Sequence, residues 1–366
     1  MTDFDLYSAT VAHYLTPVND FLADDGVTEV MINKFDEIYI ERDGQIIKTD
    51  RTFADVEAYE AAVNNILQFT GKSINDDTPL IDSRLPNGSR VHVARPPCAR
   101  LGTVMTIRKF NTTNLDIDWL IHLGTLTPEA NEYLKVAICA ERNVLVAGGT
   151  SSGKTSLLNA LSCHIPEGER VVVIEDSAEL QLQQDHVVSM ETKPADRFGR
   201  GAVAIRELFR SSLRLRPDRI IIGEVRGGEA LDMIQAMTSG HGGSMGTLHA
   251  NNPYDALNRL ETMALMSKVE LPLHALRSQI SSALDVVVQM SRHIGGRRLL
   301  TQISEVEPLG DDGRYRIRDM FTLKPDPADK KNVQLKWTGQ RSTFAEHLRP
   351  HERELITDRT AAIFEV

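Results

Sequence analysis

Cysteine is scarce: the 366-residue chain holds three, Cys98, Cys139 and Cys163. An odd count with no C-x-x-C spacing builds neither a disulfide framework nor a zinc site, and reads as free thiols in a reducing compartment. No stretch approaches the roughly 18 consecutive apolar residues that a membrane-spanning helix needs. The start, Met1-Thr2-Asp3-Phe4-Asp5, has no basic segment leading into an apolar core, so no signal peptide is expected. Positive charge is also short, with 41 Lys and Arg against 51 Asp and Glu. That balance disfavours a nucleic-acid coat, which must neutralise phosphates with cations in excess. Aromatic residues are 5% of the chain and do not interleave with a basic stripe, which argues against single-strand binding. The expectation is a cytoplasmic protein that contacts no nucleic acid directly and meets a membrane only through partners.

What is present is ordinary for a globular protein: 41% hydrophobic and 25% charged residues, in a length that suits more than one domain. Residues Val11 to Leu22 carry a helical apolar pattern. Strand-like runs follow at Val27–Ile32, Glu37–Glu41 and Gln45–Lys48, the last two joined by the hairpin signal Asp43-Gly44. Ala54–Phe69 reads as a helix, and Pro79–Asp82, Ser89–Ala94 and Thr103–Arg108 as strands with turn-rich links. Residues 1–110 therefore form an N-terminal α+β domain, and the polar run 111–115 is the expected linker. Beyond it, apolar runs alternate with helices. A helix starts at Thr127-Pro128, and strands are expected at Asn143–Ala147, Val171–Ile174 and Arg219–Ile222. Further helices are expected at Lys154–Cys163, Ala202–Leu213 and Gly228–Met237. Such alternation is the signature of an α/β domain with a mostly parallel sheet, assigned here to residues 116–366. Its end is expected to hold a strand at Tyr315–Leu323, a polar loop through Asp329-Lys330-Lys331, and a terminal helix.

Between the first strand and helix of that domain stands Gly148-Gly149-Thr150-Ser151-Ser152-Gly153-Lys154-Thr155, followed by Ser156. It matches G-x-x-x-x-G-K-[ST], in which glycines let backbone N–H groups turn inward around phosphate oxygens. The following helix adds its positive N-terminal dipole, Lys154 can reach the β- and γ-phosphates, and the Thr155 hydroxyl can ligate Mg²⁺. Three later segments join it. Val171-Val172-Val173-Ile174-Glu175-Asp176 puts two carboxylates past a buried strand, as a ligand site or as an acidic capping turn. Arg219-Ile220-Ile221-Ile222-Gly223-Glu224 has the Walker-B form with Glu in place of Asp, a longer base suited to an attacking water. The segment Thr238 to Asn251 is rich in small residues and carries His241 and His249, neither with metal-ligand spacing to cysteine. His249, at the end of a strand-like run, is the better placed to sense a γ-phosphate. Two arginine groups remain: Arg84, Arg90, Arg95, Arg100 and Arg108, then Arg206, Arg210, Arg214 and Arg216. They either solvate faces or clamp phosphates with guanidinium forks. Met263 and Met266 read as helix core.

The phosphate loop, Ile174 to Leu180, Ile222 to Gly227 and Gly246 to Asn251, in that order, resemble the type II/type IV secretion ATPase superfamily. Leu80 to Arg90, Gln181 to Gln184 and Gly240 to Asn251 resemble its CpaF-like branch, the motors of Flp/Tad pili; Arg95 stands where that branch has a small residue. The resemblance covers about residues 11 to 306. It implies a RecA-like C-terminal domain, a homo-hexameric ring, ATP bound with Mg²⁺ and hydrolysed, and docking on an inner-membrane pilus or secretion platform. It also implies roles. Gly148 to Ser156 would hold phosphate, with Thr155 and Glu175 at the metal. Glu224 would be the main catalytic carboxylate, with Glu175 assisting. His249 would sense the γ-phosphate, and Arg90 and Arg108 would reach the nucleotide from the N-terminal side. Two alternatives remain: a conjugation-type secretion ATPase, and a nucleotide-gated adaptor with little hydrolysis.

Overall fold

A computed structural model describes residues 3–42, 44–109, 116–195, 199–293, 296–325 and 333–365. The expected linker, Asp43 of the hairpin turn and the Asp329-Lys330-Lys331 loop lie outside the described residues. The chain divides into two compact units, Met1–Asn114 and Leu115–Val366. No helix of the described residues is long and apolar enough to cross a membrane.

The first unit opens with α1 (Asp3–Tyr14) and α2 (Asn19–Ala23), separated by a 3-10 turn over Thr16–Val18. The single helix expected from Val11 to Leu22 is thus broken, because Pro17 removes an N–H and starts a new turn. Strands β1 (Val27–Lys34), β2 (Glu37–Arg42) and β3 (Gln45–Lys48) follow, then α3 (Val56–Phe69), β4 (Leu80–Arg84), β5 (Arg90–Ala94) and β6 (Val104–Arg108). The Asp55 carboxylate caps α3 by accepting from Ala58 N at 2.7 Å. The sheet order is β3-β2-β1-β6-β5-β4, antiparallel at every pairing. Alternation along the strands sends Val30, Ile32, Ile38, Ile40, Val91, Val93, Met105 and Ile107 inward, where they meet Tyr59, Val63 and Ile66 of α3.

The second unit begins with α4 (Ile117–His122), α5 (Pro128–Cys139), β7 (Val144–Gly148), α6 (Lys154–Ser162) and β8 (Val171–Glu175). It continues through β9 (Val187–Glu191), α7 (Ile205–Ser212), β10 (Arg219–Ile222), α8 (Glu229–Thr238) and β11 (Met245–Leu248). Then come α9 (Pro253–Leu265), α10 (Leu273–Ala283), β12 (Val286–Arg292), β13 (Arg298–Glu307), β14 (Arg316–Pro325) and β15 (Val333–Trp337). The short helices α11 (Pro350–Arg353) and α12 (Ala361–Phe364) close the chain. One sheet runs β15-β14-β13-β12-β7-β11-β10-β8-β9. From β12 to β9 every pairing is parallel, and β13, β14 and β15 extend it antiparallel. Strands β7, β8 and β10 are buried along their whole length, as expected of strands covered on both faces. One face packs Tyr133, Leu134, Leu157 and Leu161; the other packs Phe209, Ile234, Leu257 and Ile280. The fold is the α/β class expected, with a small first unit and a large sheet in the second. Helix α7 begins at Ile205 rather than Ala202, and the terminal helix is only the four residues of α12. Met263 is core as expected; Met266, one residue past α9, is 59% exposed and is not.

Candidate nucleotide-binding site

Parallel register gathers the motif residues. Ala147 pairs with Leu248, and Ile222 with both Ile174 and Gly246. The chain therefore leaves β7, β8, β10 and β11 along one edge, and Gly148, Glu175, Glu224 and His249 emerge side by side. That carboxyl edge is where parallel sheets bind ligands.

The loop from Gly149 to Gly153 follows β7 directly, with Ser151 and Gly153 at φ of 56° and 92°. Gly153 forms the N-cap of α6 without any side-chain cap, which leaves the first N–H groups of the helix available to an anion. Gly148 is a packing requirement: a Cβ there would lie 2.6 Å from the Met290 carbonyl and 2.5 Å from Ser152 Oγ. At Gly149 a Cβ would meet nothing within 4 Å, so that position faces open space. Ser152 is buried and its hydroxyl donates to Gly149 O at 2.9 Å. Lys154 is 8% exposed, with Nζ donating to Gly149 O at 2.9 Å and lying 3.4 Å from His249 Nδ1. The loop closes on its own lysine. Thr155 and Ser156 are half-buried in the first turn of α6.

Glu224 stands at the centre of a polar chain. Its Oε2 accepts from Arg226 Nε at 2.7 Å and from Arg226 Nη2. Its Oε1 is buried and pairs with His249 Nε2 at 2.7 Å. Arg226 Nη1 reaches Asp176 Oδ2 at 3.1 Å. Burial first, then the Lys154 charge, hold the His249 imidazole below its usual value, against the opposing pull of Glu224. Glu175, 4% exposed, accepts at Oε1 from Glu179 N at 2.9 Å and Leu180 N at 3.1 Å. Among the described residues no cluster of three or more His, Cys, Asp or Glu could hold a metal by itself. A cation at this edge would arrive with phosphate oxygens, as Mg²⁺ does with a nucleotide, and the buried Glu224 oxygen and uncapped α6 suit such a load.

Lys154, Glu224 and His249 thus share one network, and Glu175 stands at the same edge. His241 does not: it precedes β11, at the sheet's opposite edge, where its carbonyl accepts from Ser244 Oγ at 2.9 Å. Of the second arginine group, Arg206 and Arg210 hold α7 to α8 through Asp232 at 2.6 and 3.0 Å, and so are structural. In the first unit, Arg90 and Arg108 stand opposite each other on β5 and β6, and Arg84 opposite Arg90 on β4. Arg95 is paired with Glu60 at 2.7 Å. The pairing of Arg226 with Asp176 spans 50 residues, and no spacing in the sequence signals it.

The family model described as Type II/IV secretion system protein matches residues 12–360. A putative conjugal transfer protein of Mycobacterium tuberculosis (strain ATCC 25618 / H37Rv) is 33% identical over 289 residues, 77% of this chain and 82% of that protein. The type IV secretion system protein VirB11 of Brucella suis biovar 1 is 33% identical over 325 residues, 81% of this chain and 90% of that protein. The crystal structure of the pilus retraction motor PilT with bound ADP superposes with a TM-score of 0.57 at 18% identity, over 81% of this chain and 83% of that one, a likeness of fold.

Proposed function

We propose, because this chain belongs to the type II/IV secretion system protein family, that it is an ATP-hydrolysing motor acting on a membrane-embedded secretion or pilus platform. The observation that carries the reading is the convergence of Lys154, Glu224 and His249 at the phosphate loop, with one Glu224 oxygen buried and facing His249. A binder that only gates on nucleotide needs no such carboxylate.

In this reading the N–H groups of Gly149 to Gly153 and of the α6 N-terminus hold the phosphates. Lys154 leaves Gly149 O to meet the β- and γ-phosphates, and Ser156 completes the first turn. Glu224 Oε1 accepts a proton from the attacking water, and His249, neutral and beside that oxygen, reports the γ-phosphate. Bound with the triphosphate, Mg²⁺ would offset charge on the β- and γ-oxygens; the Thr155 hydroxyl is its proposed ligand, and Glu175 assists water or metal. Arg90 and Arg108 are further proposed phosphate-binding residues. The working form is a homo-hexamer, on the cytoplasmic side of the inner membrane and reaching it through partners. ATP closes a ring subunit only by its differential affinity for the closed form, and a phosphate held by several elements supplies one.

The finer reading is a Flp/Tad-type pilus motor, supported by the Leu80–Arg90 and Gln181–Gln184 segments. A conjugation-type secretion ATPase is the second reading, favoured by the relatives named for conjugal transfer and type IV secretion.

A multiple-turnover phosphate-release assay tests the activity. Wild type should turn over, Lys154→Ala should not, and Glu224→Gln should bind ATP while hydrolysing it at least about 100-fold more slowly. Near wild-type turnover in Glu224→Gln would reject the base assignment. ATP binding with no turnover in wild type would leave the adaptor. Light scattering after size exclusion, with ATP and Mg²⁺ on Glu224→Gln, should give a hexamer.

A further inference from the structure

The polar chain at the strand ends continues beyond the groups that the reading above uses. Thr192 Oγ1 donates to Asp176 Oδ1 at 2.9 Å, and Asp176 Oδ2 takes Arg226 Nη1 at 3.1 Å. The other two arms of the same guanidinium, Nε and Nη2, close on Glu224 Oε2. All three donor nitrogens of Arg226 therefore face Asp176 and Glu224, the carboxylates that follow β8 and β10.

The backbone under Arg226 is fixed as well. Glu229, buried in the first turn of α8, accepts at Oε1 from Arg226 N at 2.7 Å and from Gly227 N at 2.8 Å. A guanidinium is planar and its donors have fixed directions, so two arms converging on one Glu224 oxygen, with the third arm on Asp176, set where that oxygen lies. Ordinary half-exposed ion pairs contribute little because two flexible side chains must be held by one contact. Here both ends are held: Arg226 by Glu229 and Asp176, and Glu224, part-buried two residues past β10, by His249 at its other oxygen.

We propose that Arg226 is the positioning residue of the hydrolytic carboxylate: anchored on Asp176, it captures Glu224 Oε2 and leaves Oε1 alone turned toward His249. The inference rests on Glu224 being the base. It assigns Asp176 a role through Arg226 only, and so couples the acidic segment after β8 to the chemistry after β10.

The test is steady-state hydrolysis by the full chain with ATP and Mg²⁺, with ADP affinity by calorimetry. The variants are Arg226→Ala, Arg226→Lys, Asp176→Asn and the double Arg226→Ala/Asp176→Asn, with Glu224→Gln as reference. Both Arg226 variants should lower kcat by about tenfold while KM and ADP affinity stay within about twofold, because positioning is lost and binding is not. Lysine keeps the charge but cannot form the fork, so it should not rescue. Asp176→Asn should cost less, and the double variant should match Arg226→Ala alone, since residues acting in series do not add. Unchanged kcat in Arg226→Ala would overturn the proposal. So would a raised KM with kcat intact, which means direct nucleotide contact, or additive losses in the double variant. Should the alanine variant fail to melt like wild type, Arg226→Lys carries the test. Turnover retained in Glu224→Gln would remove the base and this inference together; an inactive Glu224→Gln beside a fully active Arg226→Ala would remove this inference alone.

Discussion

Gly223 lies immediately before the proposed base, and its lack of a side chain is used by a different residue. A Cβ there would stand 2.8 Å from Glu175 Cγ and 3.2 Å from Glu175 Oε1. The backbone cannot retreat: Gly223 N donates to Ile174 O at 2.9 Å, and its carbonyl accepts from Thr247 Oγ1 at 2.6 Å. In Gly223→Ala the Glu175 side chain must therefore move, and its Oε1 would leave the N–H groups of Glu179 and Leu180. Hydrogen bonds to a charged group contribute about 1.5–3 kcal/mol each, and partial relaxation keeps part of both, so the expected loss is about 2–4 kcal/mol. A unit of this size shifts its Tm by about 2–4 °C per kcal/mol, which calorimetry or a thermal melt resolves. The backbone at Gly223 is not in the left-handed region, so alanine adds no conformational strain and the clash is isolated. The decisive control is Glu175→Ala. On that background Gly223→Ala should cost about 0.5 kcal/mol or less, giving a coupling near the full effect. Equal destabilisation on both backgrounds, or no effect on the wild type, would refute the account. ATP hydrolysis by Gly223→Ala should fall together with that of Glu175→Gln.

Two further perturbations probe the support of the site. Burial holds the His164 imidazole down to about 4, with Nε2 2.8 Å from Asn131 Oδ1. Its folded value lies below that of the unfolded chain, so stability is fully present above about pH 6.5 and is lost as pH falls toward 4. The expected loss is about 2–3 kcal/mol over that window, read by urea melts at stepped pH; His164→Gln should flatten that part of the profile, and an unchanged slope would refute the assignment. Glu305 is fully buried in β13 and accepts from Tyr133 OH and Ser342 Oγ at 2.7 Å, and from Thr343 N and Oγ1 at 2.7 and 2.6 Å. Glu305→Ala would strand these donors, costing about 3–5 kcal/mol, and should raise amide exchange across residues 342–364; a loss under about 1 kcal/mol would contradict the hub.

The motif residues were legible because each box is local: a glycine-rich turn before a lysine, an apolar run ending in an acid, a histidine after a strand. What failed was the geometry between boxes. His241 and His249 lie in one small-residue segment, and only the strand-like run before His249 hints that the four residues of β11 put them on opposite edges of the sheet. Arg226 sits two residues from Glu224, a spacing without periodic meaning, and its second partner is 50 residues away. The hub of Glu305 is equally silent, since Tyr133 is 172 residues distant. Asn252-Pro253 carries a helix-start signal, and Asn252 caps α9 by accepting from Asp255 N at 2.8 Å.

The residues after the histidine box, from 252 onward, carry no motif, but they are not an appendix to the site. Strand β12 lies beside β7 in parallel, and its Met290 pairs with Gly148 at the mouth of the phosphate loop. The 2.6 Å approach of the Met290 carbonyl is what excludes any side chain at Gly148. A Cβ on Gly153 would meet Arg298 Cδ at 3.3 Å and Met290 Cε at 3.4 Å, so β13 reaches the loop as well. In the same strand as Met290, buried Gln289 donates to Ala250 O at 3.1 Å, directly after His249. One strand without a recognisable pattern therefore sets the wall of the phosphate loop and braces the proposed sensor. The glycines of a phosphate loop are commonly credited to the ligand; at Gly148 the requirement comes from this neighbouring strand, and it holds with or without nucleotide.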